Sequence, residues 1–288
     1  MQKSECRQNN KSSYCDYNEA FTSYDQMRHP HGAKELLDIF SQSSTPLHEQ
    51  IVLEGGFGTG AYLDIFRHHV GVIYGIEGSD QGLHQTKLKT QDSKNVNLKI
   101  GDILDLPFEE QFFDAYMVNQ VLHHLDSRNP FPHMDTFLDE SQRVLKPQGR
   151  LTINTCSQEQ LDPEQGVYWH YKYIQSAAHK LKSHHIDIEE LQKRLESRNF
   201  TDIKQTIPCE KIFHREYYEN PEIALDHDFK KSDSLYSFMS ESEIKDSDNL
   251  LKAAIDNGSV YDEMKRASER AAEIGETLFL SAVKAECL

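Results

Sequence analysis

Short apolar segments alternate with helical segments between residues 51 and 207, and this alternation constrains the fold more than any other feature. The apolar runs that predict strands are 51–53, 70–76, 96–100, 115–118, 151–155 and 201–207. Alternation of this kind is typical of βαβ crossovers, which place strands in parallel and cover the sheet with helices. We therefore expect an α/β fold with a doubly wound, mostly parallel, seven-stranded Rossmann-like sheet.

The remaining segments predict how this core is completed. The seventh strand, 277–283, follows a helical pattern that ends at Gly275, and we expect it to be an antiparallel edge strand. Residues 208–257 are acidic and aromatic, and we interpret them as an inserted helical cap, the alternative being a solvated loop. The predicted organisation is an N-terminal helical segment 1–45, a core 46–207, a cap 208–257 and a C-terminal helix and strand 258–288.

Composition narrows the classes of partner. The net charge is -16 and no cluster of Lys and Arg stands out, so a nucleic acid or an anionic membrane is not the expected partner. No 18-residue apolar run and no N-terminal apolar signal region occur. Five dispersed cysteines without a C-x-x-C or zinc-like spacing predict a reducing, cytoplasmic location and no metal site: Cys6, Cys15, Cys156, Cys209 and Cys287.

The strongest local motif is a strand that runs into glycines and then a helix, with the sequence IVLEGGFGTG at 51–60. Glycines permit a sharp turn and let a ligand approach the backbone. Open α/β sheets bind ligands just beyond the carboxyl ends of their strands. The spacing G-x-G-x-G differs from the G-x-G-x-x-G typical of dinucleotide binding, and a purely structural turn is the alternative interpretation.

The second predicted strand ends in Glu77, which we expect to lie beside the glycine loop. A carboxylate at a strand end can accept hydrogen bonds from both hydroxyls of a ribose. The alternative is a solvated carboxylate in a turn. Because NAD also carries ribose, Glu77 does not choose between cofactors.

Five motifs in order resemble the class I S-adenosylmethionine-dependent methyltransferases, in particular the branch of ubiquinone-biosynthesis and small-molecule methyltransferases. They are VLEGGFGTG, GIEGS, GDILDLPF, FDAYMVNQVLHHL and RVLKPQGRL, and together they lie between residues 52 and 151. The resemblance implies S-adenosyl-L-methionine as the cofactor.

The resemblance also implies roles for individual residues. Glu77 would hold the ribose, Asp102 would accept from the adenine amino group, and the backbone amide of Ile103 would meet the adenine ring. Asn119 would line the open side of the cofactor next to the substrate. Four residues would surround the methionine part: Glu54, Gly56, Gly58 and Gly60. Tyr24 resembles an aromatic residue that covers the cofactor in relatives, with ordinary helix packing as the alternative.

Two positions depart from the family pattern. Phe57 stands where a small residue or Cys is usual, and Gly55 stands where a bulkier apolar residue is usual. A Phe57 side chain at the loop would reshape or plug the rim of the site.

The sequence leaves the acceptor chemistry open. Methyl transfer is an in-line displacement that depends mainly on alignment, and a base is required only if the acceptor carries a proton. The candidate bases are His170, His123 and Tyr168, although a packing or helix-cap role is favoured for the pair His123 and His124. The aromatic cluster Tyr168, Trp169 and Tyr171 predicts a substrate wall for a neutral or cationic acceptor, or else ordinary core packing.

The predicted function is therefore methyl transfer from S-adenosyl-L-methionine to a small-molecule acceptor by a monomer or homodimer. The tip of the fourth strand reads NQVL rather than the N/D-P-P-aromatic box of amino-directed nucleic-acid enzymes. Two other classes stay open, namely an NAD-dependent oxidoreductase and a non-catalytic module that binds S-adenosylmethionine.

Overall fold

Seven strands form one sheet in the computed structural model, which describes residues 28–126 and 129–286. The strands are β1 Ile51–Gly55, β2 Val72–Glu77, β3 Val96–Ile100, β4 Phe113–Asn119, β5 Leu145–Thr155, β6 Phe200–Thr206 and β7 Leu278–Lys284. Their order across the sheet is β3-β2-β1-β4-β5-β7-β6. The chain reverses its direction of strand addition between β1 and β4, where open α/β sheets bind their ligands.

The predicted fold class is confirmed, with one difference at the edge. Strands β1 to β5 pair in parallel, and β7 runs antiparallel to both β5 and β6. The antiparallel strand is thus one position in from the edge, which β6 occupies. All seven residues of β7 are buried, whereas most of β6 is not, so the more apolar strand takes the inner place.

Helices cover both faces of the sheet. They are α1 Ala33–Ser41, α2 Ala61–Phe66, α3 Asp80–Lys89, α4 Pro132–Val144, α5 Gln175–Ser183, α6 Ile188–Glu196, α7 Arg215–Glu219, α8 His227–Ser232, α9 Glu241–Asn257 and α10 Ser259–Ile274. Neighbouring strand residues face opposite sides: Val52 packs with α1 and α2, and Leu53 with α4 and α6. No helix among the described residues is long and apolar enough to cross a membrane.

Residues 208–257 fold into helices and pack aromatic rings against the segment after β5. Phe213 lies 4.2 Å from Tyr217 between ring centroids, and Tyr217 stacks on Trp169 at 5.4 Å. Helix α9 begins with a capping box in which Ser240 and Glu243 bond each other's backbone amides. Apolar burial and helix capping together explain why this acidic segment is ordered. Its division from the core as a separate cap stays a prediction.

The two departures from the family pattern are each compensated by a neighbour. Phe57 is buried in the core, and its ring lies 2.5 Å from where a Cβ on Gly75 would stand. A Cβ on Gly55 would lie 2.6 Å from the Tyr116 hydroxyl oxygen. Phe57 therefore fills space that Gly75 leaves open, and it does not plug the rim. Gly55 in the same way leaves room for Tyr116.

The pairing of Gly55 with Tyr116 gives a stability prediction. Gly55→Ala is expected to lower the free energy of unfolding by about 1 to 3 kcal/mol because its methyl group overpacks the Tyr116 hydroxyl. Tyr116→Phe alone should be nearly neutral, since that hydroxyl is buried without a hydrogen bond among the described residues. Urea denaturation of both single variants and the double variant tests this. Strictly additive losses would contradict it, because removal of the hydroxyl should relieve the clash.

Candidate active site

The loop after β1 turns sharply at three glycines. Gly56, Gly58 and Gly60 have φ angles of 66°, 53° and 77°, a left-handed region that side chains disfavour. The loop is held against the neighbouring strand because the Gly56 amide donates to the Ile76 carbonyl at 2.7 Å. Helix α2 begins immediately after Gly60.

Glu77 lies against this loop, as predicted. One carboxylate oxygen accepts from the Gly58 amide at 2.8 Å, and the other accepts from the Ser79 amide at 2.9 Å. Burial raises the pKa of the Glu77 carboxyl, and these backbone amides oppose the rise. Each oxygen retains capacity for another hydrogen bond, so the oriented carboxylate can still accept from a diol.

Glu54 and Asn119 meet at the ends of β1 and β4. The Asn119 amide nitrogen donates to Glu54 Oε1 at 3.3 Å. The other oxygen of each side chain, Glu54 Oε2 and Asn119 Oδ1, is buried and has no hydrogen-bond partner among the described residues. Burial raises the pKa of Glu54 from 4.5 to about 8. When Glu54 is ionised, these two oxygens are neighbouring acceptors without a donor, and they are complementary to a ligand group that carries several N–H donors.

Asp102 and Ile103 follow β3 on the far side of Glu77. Asp102 Oδ1 accepts from the Leu104 amide at 2.9 Å, and the Gly101 amide donates to the Glu77 carbonyl at 3.0 Å. Ile103 is buried and approaches the Gly55 position. The ends of β1, β2, β3 and β4 thus bring most of the predicted cofactor residues to one edge, which we call the rim. Tyr24 lies outside the described residues.

A pocket lies beyond the rim, between the ends of β4 and β5 and residues 208–257. Gln120, which directly follows Asn119, lines it and has a φ of 55°, a strained conformation for this residue. Its side chain donates to Asn154 Oδ1 at 3.1 Å, away from Glu54. Asn119 and Gln120 are adjacent at the end of β4, and they lie at the rim and at the pocket, respectively. The aromatic and ionisable lining includes His123, Cys156, Tyr168, Tyr171, His185, Phe213, Arg28 and Asp233.

Only two of the three residues of the predicted aromatic wall lie at the pocket. Tyr168 and Tyr171 line the pocket, and Trp169 is not among its lining residues. The indole N–H of Trp169 donates to the Tyr217 carbonyl at 3.1 Å, so this ring helps to hold residues 208–257.

The three candidate bases also differ in position. Tyr168 lines the pocket, but its hydroxyl donates to the Glu276 carbonyl at 2.7 Å. His170 does not line the pocket; its Nδ1 lies 2.8 Å from the Tyr217 hydroxyl and its Nε2 lies 3.5 Å from Asp233. His123 lines the pocket in a short 3-10 helix after β4.

Several pocket residues are absent from the sequence-based prediction. Gln120 could have been found from its place next to Asn119. Arg28, His185 and Asp233 carry no local motif, and only the tertiary fold brings them together, with Arg28 lying 3.5 Å from Asp233.

The comparisons with known proteins agree with this architecture. Residues 53–153 match the family model described as a methyltransferase domain. A demethylmenaquinone methyltransferase of Staphylococcus saprophyticus is 34% identical over 90 residues, which are 31% of this chain and 36% of that protein. The corresponding protein of Bacillus pumilus is 31% identical over 114 residues, 38% of this chain and 46% of that protein. The chain thus spans less than half the length of these curated relatives.

Solved structures extend the likeness of fold to most of the chain. A protein of Anabaena variabilis, named for a methyltransferase of an antibiotic biosynthesis pathway, superposes with a TM-score of 0.67 at 17% identity, over 88% of this chain and 98% of that one. Phosphoethanolamine N-methyltransferase 2 of Haemonchus contortus was solved with S-adenosylhomocysteine. It superposes with a TM-score of 0.58 at 15% identity, over 95% of this chain and 60% of that one. The match of residues 53–153 to this family model and the similarity to these relatives confirm the predicted resemblance to the class I methyltransferases.

Proposed function

We propose that this protein transfers a methyl group from S-adenosyl-L-methionine to a small-molecule acceptor. The observation that carries the proposal is the pair of buried, unpartnered oxygens on Glu54 and Asn119 beside the oriented Glu77 carboxylate. A ligand that satisfies both features needs an ammonium group and a vicinal diol. S-adenosylmethionine carries both, whereas NAD carries ribose and no ammonium.

Each rim residue has a role in this proposal. Glu54 and Asn119 accept from the ammonium of the methionine part, and Glu77 accepts from the ribose hydroxyls. Asp102 accepts from the adenine amino group, and the amide of Ile103 meets the ring. Gly56, Gly58 and Gly60 let the backbone approach the methionine part. When bound, the cofactor supplies an electrophilic methyl carbon on a cationic sulfur.

The chain itself contributes binding, orientation and shielding from water. The rim fixes the donor at the ends of the strands, and Gln120 connects it to the pocket beyond. We propose that residues 208–257 form a cap over this pocket, so that donor and acceptor are aligned out of bulk water. Alignment of this kind can supply much of the acceleration of a displacement reaction.

We do not assign the acceptors of the relatives to this protein. Most residues that line the pocket lie outside the segment 53–153 that matches the family, so this chain builds its acceptor site from its own sequence. We also propose a cytoplasmic monomer or homodimer that does not bind nucleic acid, on the grounds of the dispersed cysteines and the net charge of -16.

Calorimetry followed by a turnover screen tests the proposal. We expect S-adenosylhomocysteine to bind and NAD not to bind. Methyl-labelled S-adenosylmethionine with a library of uncharged and cationic metabolites should then yield a labelled product. Binding of NAD alone would favour an oxidoreductase, and binding of S-adenosylhomocysteine without turnover across the library would favour a non-catalytic module.

A further inference from the structure

Two buried imidazoles in the acceptor pocket are stacked on each other. His123 comes from the 3-10 helix after β4, and His185 follows α5. Their ring centroids lie 4.5 Å apart with an angle of 12° between the planes. Both line the pocket, and they are only 8% and 4% exposed, so neither is a surface histidine.

The hydrogen bond of His185 fixes where its lone pair lies. Nδ1 of His185 is 3.0 Å from the Leu181 carbonyl oxygen. A carbonyl oxygen only accepts, so in the neutral ring the proton must be on Nδ1 and the lone pair on Nε2. Nε2 has no hydrogen-bond partner among the described residues. His123 Nδ1 is likewise buried and unpartnered within that part of the chain.

The charges around these rings keep the pocket neutral. Arg28 and Asp233 line it and form an ion pair, and Asp233 also faces His170. His124 and His184 pack beside the two rings. Burial, together with these neighbouring imidazoles, lowers the pKa of His123 well below its ordinary value. Burial also lowers the pKa of His185 to about 4.

The other candidate bases are less suited to proton transfer. The Tyr168 hydroxyl donates to a backbone carbonyl, and burial raises its pKa well above the ordinary value. Both ring nitrogens of His170 face other side chains. Asp233 is the one carboxylate among the described residues that line the pocket. Its negative charge is already paired with Arg28, so little negative charge remains to balance a cationic acceptor.

We propose that His185, stacked on His123, accepts the proton of the acceptor, and that the pocket takes an uncharged molecule whose nucleophilic atom carries a proton. This inference rests on the proposed function. The acceptor's lone pair forms the bond to the methyl carbon, the carbon–sulfur bond breaks with its electrons going to sulfur, and the proton passes to His185 Nε2. A weakly basic imidazole suffices because the acceptor atom becomes strongly acidic as its new bond forms.

Nuclear magnetic resonance of the full chain with ¹⁵N-labelled histidine tests this without turnover. The His185 signals, assigned by their loss in His185→Asn, should show the Nδ1–H tautomer. Phenol, which can donate an O–H, should shift the Nε2 resonance, and anisole, which cannot, should not. An Nε2–H tautomer, no shift with phenol, or equal shifts with phenol and anisole would overturn the inference.

Kinetics with an acceptor found in the screen provide the second test. His185→Asn should lower kcat by about 10²- to 10⁴-fold, leave the affinity for S-adenosylhomocysteine unchanged and remove the acidic limb of the kcat profile. His124→Asn is the matched control, because His124 belongs to the same cluster but does not line the pocket. If wild type turns over and His185→Asn keeps its kcat, the inference fails while the proposed function stands. If wild type binds no S-adenosylhomocysteine, the proposed function fails instead.

Discussion

Glu77→Ala is expected to weaken binding of S-adenosylhomocysteine by about 1.5 to 3 kcal/mol, or about ten- to 150-fold. The reason is that the carboxylate is held in place by the amides of Gly58 and Ser79 and is the oriented acceptor for the ribose hydroxyls. Hydrogen bonds to a charged acceptor are stronger than neutral ones, so their loss is large. Titration calorimetry at fixed pH measures the change directly.

Two further variants separate ligand binding from loop structure. Glu77→Gln keeps the size of the side chain and one carbonyl acceptor but loses the charge, so its affinity should fall between wild type and Glu77→Ala. Asp80→Ala removes an exposed carboxylate three positions away and should bind as wild type does. Thermal melts check that each variant is folded. Wild-type affinity in Glu77→Ala would remove Glu77 from the site.

The sheet was predictable because its signal is local. Most of the strands are short apolar runs, and four of the seven, β1, β2, β5 and β6, lie between helical segments, so the pattern alone indicates mostly parallel pairing. The position of β7 was not predictable in the same way. Pairing of β7 with both β5 and β6 depends on contacts between residues more than 70 positions apart, such as Thr201 with Val283. A run of apolar residues indicates that a strand is buried, but it does not identify the strands that lie on either side of it.

The same contrast between local signals and long-range contacts applies to the candidate site. The rim is built from strand ends, and each of its residues adjoins a motif that is visible in the sequence, so Glu54, Glu77 and Asn119 could be expected to meet. The pocket is built from single residues of distant segments, such as Arg28 and Asp233, which lie 3.5 Å apart. The sequence also did not reveal that a large residue at one position is accommodated by a small residue at another. Nothing near Phe57 in the sequence indicates that Gly75 makes space for its ring.

Burial of Glu54 links the stability of the protein to pH. The pKa of its carboxyl rises from 4.5 to about 8 in the folded protein because burial disfavours the charged form. Below pH 4.5 the carboxyl is protonated in both folded and unfolded chains, and its contribution to stability is complete. As the pH rises towards 8, the unfolded chain releases the proton and the folded chain retains it. Unfolding therefore becomes easier, and the contribution is lost.

Glu54→Gln should remove this dependence, since an amide of the same shape does not ionise. Between pH 5 and 9, wild type is expected to lose stability relative to Glu54→Gln on the order of 4 kcal/mol. Urea denaturation of both proteins at several pH values, without cofactor, measures the difference. The contributions of the buried histidines cancel because both proteins contain them, whereas the repulsion between Glu77 and Glu54 is part of the measured difference, since it also raises the pKa of Glu54. A difference that stays constant with pH would mean that Glu54 is ionised in the folded protein. In that case burial would not control the pKa of this carboxyl, and the link between Glu54 and the pH dependence of stability would fail.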